Sequence, residues 1–68
     1  MSLVGTASSL EGSRSILIED LSSAGARLFG RGLPAPGNDM LIRTDEFALF
    51  GRVAWAEHDR RGVALDGD

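Results

Sequence analysis

The chain has 68 residues, no cysteine and a formal net charge of −3, with seven arginines as its only basic residues. That length allows one domain with a thin core, burying roughly 60% of the surface the unfolded chain exposes. Disulfides and thiolate zinc sites are excluded, the acidic balance argues against general nucleic-acid binding, and no apolar run approaches the ~20 residues of a membrane span.

The elements read in chain order as short strands. Met1-Ser2-Leu3 reads as an expression scar, and a first strand is expected over Leu3–Ser8. Glu11-Gly12-Ser13 is a turn signal, followed by a β-branched-rich strand over Arg14–Leu21. Strict alternation places Ile16, Ile18 and Asp20 of that strand on one face. Ala26–Phe29 follows. The stretch Gly30–Gly37, with two prolines and three glycines, excludes regular structure. Met40–Thr44 is the next strand, and Asp45-Glu46 turns it toward the longest one.

Phe47–Trp55 alternates most clearly. Phe47, Leu49, Gly51, Val53 and Trp55 share one face; Ala48, Phe50, Arg52, Ala54 and Ala56 share the other. Trp55 has two readings, a stacking surface for a base and a core residue, and its place beside Val53 on an alternating strand favours the core. Gly51 is the expected site of a bulge or bend. His58–Arg61 reads as a turn, Gly62–Leu65 as the closing strand, and the last residues, 67–68, as a tail. No stretch supports a helix, because Gly25, Gly30 and Gly32 interrupt the one segment with an N-cap, at Ser22. The expected fold is all-β, a small six-stranded antiparallel barrel spanning residues 1–68 as a single domain.

The segment Asp20-Leu21-Ser22-Ser23-Ala24-Gly25 stands out between two apolar runs. It has two readings. As a plain chain reversal it needs only Asp20, in an Asx-turn, and Gly25, for its backbone freedom. As an anion cradle it adds the hydroxyls of Ser22 and Ser23 beside free backbone N–H groups.

That segment, continuing through Ala26-Arg27-Leu28, resembles the D-x-S-x-x-G motif of PilZ domains, bacterial modules that bind cyclic di-GMP. Pro36-Gly37, Leu49-Phe50-Gly51-Arg52-Val53-Ala54-Trp55 and Arg61-Gly62-Val63-Ala64-Leu65 are similar to later landmarks of that family, in the same order. The likeness runs from about Val4 to Leu65. It implies a PilZ-like barrel and a cytoplasmic signalling role. It also implies a ligand site in which Asp20 accepts hydrogen bonds from a guanine edge, Ser22 bonds a phosphate and Gly25 lets the backbone approach.

One part of the family pattern has no counterpart. Members that bind the nucleotide also use an upstream R-x-x-x-R clamp, and here no arginine precedes Arg14. Arg27 and Arg31 have that spacing but follow the motif, with Arg27 on a strand and Arg31 in a loop. At about 1.5–3 kcal/mol per charged hydrogen bond, two absent arginines remove roughly 3–6 kcal/mol, or two to four orders of magnitude in affinity. Arg14, Arg60 and Arg61 are the candidate substitutes as phosphate contacts. The expectation is weak or lost cyclic di-GMP binding. The alternative is a ligand-independent protein-interaction module, docking through a strand edge or the Ala48/Phe50/Arg52 face, with a homodimer as one route to stability.

Nothing points to catalysis, a cofactor or a metal site. His58 lies alone in a turn, and the neighbours Glu19-Asp20 and Asp45-Glu46 point to opposite faces of a strand and so form no acid–base dyad. Neither membrane nor nucleic-acid partners are expected.

Overall fold

Apolar alternation broken by glycine and polar turns closes this chain into a ring of six antiparallel strands. The computed structural model describes residues 3–65. The strands are β1 (Leu3–Ser9), β2 (Gly12–Leu21), β3 (Gly25–Phe29), β4 (Asp39–Arg43), β5 (Ala48–Glu57) and β6 (Arg60–Leu65). They form a closed barrel in the order β1-β2-β3-β6-β5-β4. Met1-Ser2 and the tail at 67–68 lie outside the described residues, whereas Leu3 already belongs to β1.

The interior follows the period of two. Ala26 and Leu28 are buried while Arg27 and Phe29 between and after them are exposed, and Met40 and Ile42 repeat the pattern on β4. Ile16 and Ile18 from β2, with Val53 and Val63 from β5 and β6, complete the centre. Closure gives every strand a neighbour on each side, so the barrel offers no edge strand for docking.

The two longest strands each carry an irregularity. On β2 the register steps from Ile18↔Leu28 to Asp20↔Arg27, which makes Glu19 an extra residue. On β5 it steps from Val53↔Val63 to Trp55↔Gly62, with Ala54 as the extra one. A bulge shifts the phase of everything beyond it. Leu21 therefore packs against the core three residues after Ile18, and Asp20 faces outward. Trp55 turns outward too and is 43% exposed, contrary to its expected place in the core.

Of the bulge or bend expected at Gly51, the bulge falls instead at Ala54. A Cβ at Gly51 would lie 2.5 Å from the carbonyl oxygen of Ala64 and 2.7 Å from Val63 Cγ1, so this glycine lets β5 and β6 approach where the barrel curls.

Strand ends differ modestly from the alternation reading. Glu57 pairs with Arg60, which reduces the β5–β6 turn to His58-Asp59, with His58 at a φ of 54°. Phe47 lies before β5, in a turn where Thr44 N–H donates to the Phe47 carbonyl at 2.8 Å. The loop between β3 and β4 tucks Leu33 and Pro34 inward, with Leu33 joining the core.

Candidate functional site

Register places four residues in one row across the outside of the barrel: Asp20 on β2, Arg27 on β3, Gly62 on β6 and Trp55 on β5. Both bulges are needed for this row, because uninterrupted alternation would leave Asp20 and Trp55 facing in. Gly62 completes the arrangement: the five-membered ring of Trp55 occupies the space a side chain at residue 62 would fill. The indole thus lies against the backbone of β6 and remains part-exposed to solvent.

Above the row sits the Ser22–Gly25 turn. Ser22 Oγ accepts from the N–H groups of Ala24 at 3.3 Å and Gly25 at 3.2 Å, and Ser22 N–H donates to the Gly25 carbonyl at 2.9 Å. The cradle expected from free amides is therefore closed on itself, with the serine hydroxyl standing where an anion's oxygen would go. Asp20 makes no Asx-turn; its Oδ1 accepts from the N–H of the next residue, Leu21, at 3.0 Å. Its second oxygen has no partner among the described residues.

These residues line a shallow groove of about 280 Å³, with Asp20, Ser22, Gly25, Arg27 and Trp55 around it. Ligand clefts commonly run from about 300 to 1,000 Å³, so this one lies just below that range and suits a single ring system rather than a whole dinucleotide. Its polar groups are suited to that. A carboxylate accepts from paired N–H donors, an aromatic ring stacks on any base, and a guanidinium forks onto a phosphate. A groove of about 400 Å³ elsewhere is lined by Ser8, Leu10, Asn38, Met40 and Phe50 and brings no arginine to its walls.

The three candidate accessory arginines are placed differently from one another. Arg61 donates to four backbone carbonyls, those of Pro34, His58 and Arg60 at 2.8 Å and of Leu33 at 3.1 Å, and so ties the β3–β4 loop to the β5–β6 hairpin. Arg14 donates to the Ser13 carbonyl and lies beside Gly32. Neither borders the groove. Arg60 sits opposite Phe29, at the other end of β3 from Gly25, and so away from the Ser22–Gly25 turn.

Arg60 reaches the outer face by another route. Its Nε and Nη2 donate to the two carboxylate oxygens of Glu19 at 2.9 and 3.4 Å, and its guanidinium lies 5.4 Å from the centre of the Phe29 ring. The hydrogen bond to Glu19, and then its charge, raise the Arg60 pKa. Arg27 stands 3.7 Å from the same Glu19 oxygen, too far for a hydrogen bond. Glu19 and Arg27 are not legible as site residues in the alternation, and Trp55 only through the less favoured of its two readings. One signal was available for Trp55: counting back from a two-residue turn sets it opposite Gly62.

No protein-family model, curated protein or solved structure matches the chain.

Proposed function

We propose that this barrel is a PilZ-type signalling module whose outer-face groove takes one guanine and one phosphate of cyclic di-GMP, with low affinity. The observation that carries the reading is the row Asp20–Arg27–Gly62–Trp55, assembled by two separate bulges. Asp20 supplies the acceptor for the guanine edge, Trp55 the stacking surface and Arg27 the charge for a phosphate. Gly25 keeps the backbone low beside them, while Ser22 reaches a phosphate only by giving up its bonds within the turn. Low affinity follows from the count of cations. Of the chain's seven arginines, only Arg27 lines the groove.

Calorimetric titration with cyclic di-GMP, with GTP as control, tests the proposal. Selective binding that is lost in Asp20→Ala and in Trp55→Ala is the expected result. No heat at millimolar ligand, or equal heat with GTP, would refute it. The second reading, a ligand-independent docking module, is favoured by the apolar side chains left outside: Val4 at 77% exposure and Phe50 at 48%.

A further inference from the structure

We propose that Glu19 is a built-in counter-anion that binds Arg60, neutralises Arg27 beside it and thereby limits the affinity of the outer face for phosphate groups; this rests on the reading that an anionic ligand uses that face. The β2 bulge inserts Glu19 as the extra residue beside Asp20, within reach of β3 and β6. Its two oxygens take a side-on fork from Arg60, at 2.9 and 3.4 Å, and Oε1 is also the carboxylate oxygen near Arg27. Two guanidinium groups thus converge on one carboxylate whose side chain is only 22% exposed.

A phosphate presents oxygens to a guanidinium fork much as a carboxylate does. Arg27 and Arg60 are therefore positioned as a pair for a phosphate, with Glu19 in its place. Asp20 does not substitute for Glu19 in this role. One of its oxygens is tied to the Leu21 amide, and it forms no ion pair with Arg27 among the described residues. Neutralising Glu19 removes the one carboxylate that both guanidinium groups approach, leaving Arg27 opposite Asp20 and Arg60 with the more distant charge of Glu57.

The test uses the full chain and inorganic pyrophosphate, read on the Arg27 and Arg60 Nε–Hε signals by NMR. Wild type is compared with Glu19→Gln and with Asp45→Asn, which removes the same charge from an exposed turn. Glu19→Ala repeats the comparison if Glu19→Gln does not fold. Pyrophosphate binding tightened about tenfold by the Glu19 change and unaltered by Asp45→Asn is expected for a counter-anion that fills the Arg60 fork and neutralises Arg27 beside it. An equal response of the two variants, or none in either, overturns the proposal. Failure of the nucleotide reading is separate, since it appears as absent or unselective cyclic di-GMP binding, or as binding that ignores Asp20 and Trp55, whatever pyrophosphate does.

Discussion

Two arginines on neighbouring strands, Arg27 and Arg61, show how differently one residue type is used in a barrel this small. Arg61 faces the loop that carries Leu33 and is fully committed, its guanidinium bonded to four backbone carbonyls. Arg27 projects from the opposite side of the sheet, half-exposed, with a single carboxylate oxygen at 3.7 Å. The first replaces core that a chain of 68 residues lacks, and the second is held by charge alone, with no hydrogen bond among the described residues. Motif spacing does not separate these roles. What separates them is which face of the sheet each residue takes and whether backbone carbonyls lie within reach.

The sharpest way to break the comparison is at Arg61. Arg61→Ala leaves the carbonyls of Leu33 and Pro34 without their donor and should destabilise the fold by about 2–3 kcal/mol, measured by urea unfolding. Cyclic di-GMP binding by the fraction that remains folded should be unchanged. Arg61→Ala with unaltered stability would mean that the loop holds itself.

At the other region Gly62→Ala should act through Trp55. The new Cβ overlaps the indole and pushes it into solvent, at a stability loss of about 1–2 kcal/mol. Trp55 is the only tryptophan, so the displacement is read as a red shift of the fluorescence. An unshifted spectrum would place the ring elsewhere than over Gly62.

Arg27→Ala is the mirror of Arg61→Ala. Stability should stay within about 0.5 kcal/mol, as for an exposed pair, while cyclic di-GMP affinity falls about tenfold. The smallest expected effect is at the β5–β6 turn. His58 holds a φ of 54°, so His58→Gly should stabilise by about 0.5 kcal/mol, visible as a raised thermal midpoint.

The strands were legible because alternation writes burial into sequence. Ile16 and Ile18 on β2, and Gly51 and Val53 on β5, face in as their spacing implies. The closed order of strands agrees with the expectation of a six-stranded barrel. The site was less legible, since a bulge adds a residue without altering composition. Asp20 and Trp55, both read onto the inner rows, are carried out together by the extra residues Glu19 and Ala54. Arg60 and Arg61 read as turn residues because they are charged, and only the pairing of Glu57 with Arg60 extends the hairpin to include them. Of the two readings of the Ser22 turn, the anion cradle needs free amides, but a hydroxyl three residues before Gly25 satisfies that glycine's amide itself.

The central claim is that Asp20 and Trp55 act together on one outward-facing ligand. The Trp55 indole N–H signal tests it most directly, followed by NMR as cyclic di-GMP is added to wild type and to Asp20→Ala. A saturable shift in wild type that disappears in Asp20→Ala is the expected result. An indole signal that stays fixed at millimolar ligand, or moves equally in both proteins, would contradict it.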